Sequence, residues 1–242
     1  MKKVFRLLLL LILLTPGASA FAKVYLVSVG ISDYPGTAND LRLSAGDARA
    51  MTRLYQNKSG LVYRMLLNEE ATVENIVSTM RRVFVSAGET DIVVFFFSGH
   101  GYPGGFRAYN GQLTYTQVRN AMSVSKSRYK MIFADACFAG DIRTGGRTSA
   151  TTIAAAKRAN VLLFLSSRGN EVSYERTSLG NSIFTAYMLK GLKGEADANH
   201  DNVITAKELF IYVNGNVSRA TSGKQHPVMW GKFEDTMPIM TW

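Results

Sequence analysis

The chain has 242 residues and a formal net charge of +10, from 28 Lys+Arg against 18 Asp+Glu. This length suits one α/β domain with a sizeable core, and the sequence shows no repeat, low-complexity tract or Pro-, Gly- or Ser-rich linker that would split it. The positive charges are scattered, not blocked, which describes a basic surface and excludes nucleic-acid binding as an expectation.

The chain opens with MKKVFR, then LLLLLILL, then TPGASAFA. A basic start, an apolar run too short to span a bilayer stably, and small residues that fit cleavage after Ala20 or Ala22 make a secretory leader of residues 1–22. The competing reading is an uncleaved anchor helix. No cysteine follows the apolar run, which argues against a lipid anchor, and no later segment is apolar enough to cross a membrane. The expected product is exported, periplasmic or secreted, and has no stable membrane anchor. Cleavage takes Lys+Arg from 28 to 25 against 18 acids, a net of about +7. Residues 23–242 then form the domain.

KVYLVSVGI, from Lys23 to Ile31, reads as a buried strand. A loop with Asp33, Tyr34, Pro35 and Gly36 leads to a helix over NDLRLSAGDARAMTRLYQ, with Leu43, Met51, Leu54 and Tyr55 on one face. Tyr63–Leu67 is a short strand. Thr72 caps a helix carrying Val73, Ile76, Val77, Met80 and Phe84. DIVVFFF is the third strand; a turn and a short helix over Thr114–Met122 lead to the fourth, Tyr129–Ala136. After a polar stretch at 141–158 comes the fifth strand, Val161–Ser167. Helices follow over NSIFTAYMLKGLKG and AKELFIYVNGNV, and Val228–Ile239 is a strand or extended tail.

Strands of continuous apolar residues alternating with amphipathic helices predict a mostly parallel sheet covered on both faces. Ligands collect beyond the carboxyl ends of such strands. His100 stands just past the third strand and Cys137 just past the fourth, so neighbouring strands would set them side by side. Cys137 is the only cysteine in the chain. In an exported protein a lone thiol is either a small buried hydrophobe or a nucleophile. Imidazole is the usual activator of a thiol. Of the three histidines, His200 lies in an acidic loop and His226 precedes a proline, which leaves His100. Gly99 and Gly101 would admit a close approach of substrate, and the N–H groups of Gly101 and Cys137 could form an oxyanion hole. The bland alternative is a tight Ser-Gly-His-Gly turn. Asp135, two residues before Cys137 on an extended strand, would point the same way as the thiol.

"FFFSGHGY" and "FADACFAG" resemble the His and Cys boxes of caspase-like cysteine peptidases, particularly the metacaspase and bacterial branch. "VSVGISDYPGTANDLRLSAGDARAM" and "LLFLSSRGNEVSYE" fit as well, so the resemblance spans roughly Lys23 to Val213. It implies a caspase-hemoglobinase-like three-layer sandwich built on a mostly parallel six-stranded sheet with helices on both faces. It further implies hydrolysis of polypeptides through a thioacyl-enzyme, with Cys137 as nucleophile and His100 as base and acid. Asp135, Ser98 and Asp47 match positions that line the S1 pocket of metacaspases. Carboxylates there favour Arg or Lys before the scissile bond. Asp135 as a purely structural acid is the alternative, and a helix N-terminal region such as that of Asp47 welcomes any acid. Arg143, Arg147, Lys157 and Arg158 make the 141–158 stretch a candidate for self-cleavage. The acidic calcium site that several metacaspases carry between the two boxes is missing, since that segment here holds no Asp or Glu.

"DANHDNVITAKE", Asp197–Glu208, fits a calcium loop. Asp197, Asn199, Asp201, the Val203 carbonyl, Thr205 and Glu208 fall at ligand positions, with Asn202 where glycine is usual. An Asp/Asn-rich helix cap is the competing reading. No cofactor is expected to be required for catalysis, and calcium would stiffen this loop. The leading function is an exported cysteine endopeptidase acting as a monomer. The rival is a catalytically idle caspase-like module that binds peptides or partners. A small-molecule thiol hydrolase is a third class, without any cofactor fingerprint to support it.

Overall fold

Five apolar-rich segments become adjacent parallel strands, the edge strand β2 being only partly buried. A computed structural model describes residues 23–58, 60–136, 161–168, 171, 173–176, 179–231 and 233–241. The leader, Cys137 and the 141–158 stretch lie outside the described residues. The strands are β1 (Val24–Gly30), β2 (Leu61–Leu67), β3 (Ile92–Ser98), β7 (Tyr129–Asp135) and β8 (Val161–Leu165). They join β12 (Val228–Gly231) in one sheet of order β12-β8-β7-β3-β1-β2, where only β12 runs antiparallel. This is the six-stranded, mostly parallel sheet expected. Strands β9 (Glu175–Arg176) and β10 (Asn181–Ser182) form a separate antiparallel pair.

Alternation within β3 decides what covers each face. Val93, Phe95 and Phe97 enter a core closed by α2 (Val73–Phe84) and α3 (Tyr115–Met122). Val94 and Phe96 enter the opposite core, closed by α1 (Ser44–Gln56), α4 (Ile183–Lys190) and α5 (Ala206–Ala220). Burial on both faces explains why the run is uninterrupted. Phe95, Phe96 and Phe97 are fully enclosed, and each contributes roughly 1.5–3 kcal/mol through burial. Thr72 caps α2 through Asn75, and Thr114 forms a reciprocal capping box with Gln117 at α3.

Three differences from the expected elements bear on the site. The first helix starts at Ser44, not Asn39. Residues 37–43 fold back instead: Leu41 N–H reaches the Ser32 carbonyl at 2.8 Å, and the Asp40 carboxylate accepts the Tyr34 N–H at 3.1 Å. Helix α1 then leans so closely on β1 that a Cβ at Gly30 would meet the Ser44 carbonyl at 2.4 Å. Second, residues 101–114 form a small antiparallel sheet of β4 (Gly101–Tyr102), β5 (Gly105–Ala108) and β6 (Gly111–Thr114) where a turn was expected. Phe106 of β5 stacks on Phe97 at 4.5 Å, which fixes this small sheet to the α2–α3 face. Third, the tail is two strands. β12 extends the main sheet, and β13 (Pro238–Thr241) pairs with β11 (Val203–Thr205). Among the described residues no helix is long and apolar enough to cross a membrane.

Candidate active site

β3 and β7 run in register, Ser98 beside Asp135, and the Gly99 N–H donates to the Asp135 carbonyl at 3.1 Å. His100 therefore stands on the rim where the two strands end. Its Nε2 lies 2.8 Å from the Asn39 carbonyl oxygen. A carbonyl only accepts, so in this contact Nε2 is the donor. The Tyr34 hydroxyl receives the His100 N–H at 2.9 Å and donates to the Arg107 carbonyl at 3.1 Å. The Tyr34 ring lies 4.9 Å from the imidazole, tilted by 43°. Burial pushes the phenol well above its ordinary pKa, against the opposing hydrogen bond to His100 and the Arg107 charge, so it stays a neutral donor. A Cβ at Gly99 would come 2.7 Å from that hydroxyl, which is why the position is glycine. Asn39 and Tyr34 were not singled out as site residues in the sequence.

On the β7 side, the Ala136 N–H and carbonyl are both held at 3.1 Å by the Ser166 hydroxyl from the end of β8. That bracket fixes the backbone up to the residue before Cys137.

Asp47, Ser98 and Asp135 come together on the α1–α4 face of the rim. Asp47 is fully buried and Asp135 nearly so. The Asp47 carboxylate accepts from Ser98 Oγ (2.9 Å), Asn181 Nδ2 (2.8 Å), Ser182 N–H (3.1 Å) and Ser182 Oγ (2.6 Å). Asp135 accepts from Thr185 N–H (3.2 Å), Thr185 Oγ1 (2.7 Å) and the Ser173 hydroxyl. Ser182 is the N-cap of α4 yet makes no capping bond of its own. Its hydroxyl serves Asp47, and Asp135 accepts the Thr185 amide of the first turn instead. The positive end of α4 thus faces both acids. Burial, then the charge of Asp135, pushes the Asp47 carboxyl up to about 7, against the hydrogen bonds from Ser182, Asn181 and Ser98.

The other histidines are elsewhere engaged. His226 contacts Glu171 through Nδ1 at 2.8 Å, and His200 sits in the 197–208 loop with φ of 61°. In that loop, Asp197 accepts the N–H groups of Asp201 and Asn202, and Asn202 takes the left-handed conformation (φ 65°). Val203 belongs to β11. Asn199 Nδ2 donates to Asp201. Glu208 caps α5, accepting from Thr205 and from the Ala198 N–H. Among the described residues no three His, Cys, Asp or Glu side chains converge as a metal site.

The sequence matches the family model of the caspase domain over residues 24–237. The chain therefore belongs to the caspase-domain peptidase family, and a cysteine-peptidase kind of activity goes with that class. A crystal structure of a protein from Geobacter sulfurreducens superposes with a TM-score of 0.65 at 16% identity, covering 90% of this chain and 99% of that one, and so shares the fold. No curated protein sequence matches the chain.

Proposed function

We infer that the protein is an exported cysteine endopeptidase that cuts polypeptides after Arg or Lys. The observation carrying this reading is the His100 imidazole, fixed through Nε2 by the Asn39 carbonyl with Nδ1 left free of that bond, at the tip of the strand beside β7. The paired strands end at Ser98 and Asp135, each two residues before His100 and Cys137 in the sequence. In this reading the Cys137 thiol gives its proton to Nδ1 and sulfur attacks the scissile carbonyl. The N–H groups of Gly101 and Cys137 receive the oxyanion. The C–N bond breaks as the imidazolium returns the proton to the leaving amine, and water then hydrolyses the thioester with His100 as base.

Two buried carboxylates beside the rim support a basic residue before the scissile bond. Their oxygens already accept from protein donors, so a substrate cation draws on the Asp135 charge, joined by Asp47 as its raised carboxyl ionises, and takes over an acceptor from Ser173 or Asn181. Calcium has a structural place in this reading, held by Asp197, Asn199, Asp201, the Val203 carbonyl and Glu208 once Glu208 leaves its cap. The deciding experiment is a fluorogenic peptide series with Arg, Lys or Asp before the reporter. Cleavage after Arg and Lys that disappears in Cys137→Ala and in His100→Ala is expected. Peptide binding without turnover would replace the peptidase with the idle binding module.

A further inference from the structure

A cleft of about 570 Å³ opens beside His100 on the side away from the carboxylates. Its walls include Pro35, Tyr102, Arg107, Tyr109 and Gln112, and none of Asp47, Ser98 or Asp135 lines it. The two sites lie on opposite faces of the main sheet. Ser98 bonds Asp47 of α1 on one face, and the small sheet carrying Arg107 packs through Phe106 on Phe97 of the other. His100 stands on the rim between them.

Arg107 is the one Lys, Arg, Asp or Glu among the cleft's lining residues. Its guanidinium lies over the Tyr34 ring, 5.4 Å from the centroid, and among the described residues it has no ion pair with an acid. Glu74, the acid at the cleft edge, is exposed and accepts from Asn110 Nδ2 at 2.9 Å. The Arg107 backbone is tied to the rim twice: its N–H donates to the His100 carbonyl at 2.9 Å and its carbonyl accepts from Tyr34. The backbone under the cation is therefore fixed to the rim and the Tyr34 ring orients the guanidinium before any ligand arrives, which lowers the ordering cost of binding.

This inference rests on the peptidase reading above. When the C–N bond breaks, the acyl half remains on sulfur and the amine half takes its proton from His100. With the basic side chain of the acyl half on the Asp47–Asp135 face, the departing half runs past His100 to the other face. We propose that this cleft binds the leaving-group half of the substrate and that Arg107 selects a carboxylate there. The carboxylate is an Asp or Glu side chain one or two residues beyond the scissile bond, or the terminal carboxylate of a short departing peptide. The preferred cut then lies between a basic and an acidic residue.

The test uses matched internally quenched peptides, Arg before the scissile bond and Glu or Gln in the first two positions after it, each with a free or an amidated C-terminus. For the full chain, kcat/KM should favour Glu about tenfold, the scale of one hydrogen bond to a charged group. A preference for Glu in amidated peptides assigns the side chain; a preference only for free termini assigns the terminal carboxylate. Arg107→Gln should bring the Glu/Gln ratio near one, and Arg107→Glu should invert it in favour of Gln, an inversion that lost packing alone does not produce. Equal cleavage of all four peptides overturns the inference and leaves the peptidase reading standing. If no peptide is cut, the peptidase reading fails and the cleft is judged by NMR titration of the full chain with the departing peptides alone. Tighter binding of the Glu peptide, abolished in Arg107→Gln, retains the site; equal binding removes it.

Discussion

The Tyr34 hydroxyl lies 2.9 Å from the backbone nitrogen of His100 and 3.1 Å from the Arg107 carbonyl oxygen, so one phenol joins the exit of β3 to β5. Tyr34→Phe keeps the ring beside the imidazole and removes both bonds. We expect a loss of about 1–3 kcal/mol, the cost of leaving buried backbone groups unpaired, seen as a Tm lower by several degrees. Peptidase kcat should fall several-fold with KM little changed, because Tyr34 positions the imidazole and does not touch substrate. Steady-state kinetics and a thermal melt check both.

Gly99→Ala places a methyl group 2.7 Å from the same hydroxyl. The variant should lose activity by tenfold or more. Adding Tyr34→Phe removes the oxygen that the methyl meets. The double variant should therefore be less impaired than the product of the two single effects, a coupling of about 0.5–3 kcal/mol expected for neighbours. Simple multiplication of the two effects would contradict this packing.

Asp47 carries a pH signature. Burial, then Asp135, raises its carboxyl to about 7, above its value in the unfolded chain, about 4. Between these values the unfolded chain releases the proton and the folded chain retains it. The stability from protonated Asp47 is thus fully present below about pH 4 and is lost as pH rises through 7. Asp47→Asn should flatten the fall in unfolding free energy over pH 4–7 relative to the parent, by on the order of a few kcal/mol. Melts at several pH values compare the two; parallel curves would show that Asp47 ionises normally.

Asp135→Asn tests recognition. Asparagine retains an acceptor for Thr185 but removes the charge. Cleavage after Arg should fall by at least tenfold relative to cleavage after an uncharged residue, with Tm little changed. Unaltered selectivity would make Asp135 a structural acid that serves α4.

Calcium added to the metal-free chain should raise Tm by a few degrees, and Glu208→Gln should abolish that rise. A melt indifferent to calcium and chelator leaves the 197–208 segment as a capped helix start, the role Glu208 fills through Thr205.

The strands were legible because burial on both faces demands uninterrupted apolar residues, as in Val93–Phe97. Helix α2 announced itself through Thr72. His100 stood out only in combination: a Ser-Gly-His-Gly turn has a bland explanation by itself, and the segment bearing the single cysteine after the next strand is what singles it out. Asn39 was not legible, because it contributes a backbone carbonyl, which any residue type provides. Tyr34 acts through a loop whose shape depends on Asp40 and Ser32. Ser182 looked like an ordinary cap, and its hydroxyl turns instead to an acid 135 positions away in sequence. The small sheet at 101–114 was missed since its strands are two to four residues long and rich in glycine.

The two strands that bear His100 and Asp135 are the middle pair of the six, each flanked on both sides by hydrogen-bonded neighbours. Their amides should be among the slowest to exchange with deuterated solvent, opening only when the domain opens as a whole. Heat should then silence the site at the temperature where the fold itself is lost, with no earlier, local failure at the rim.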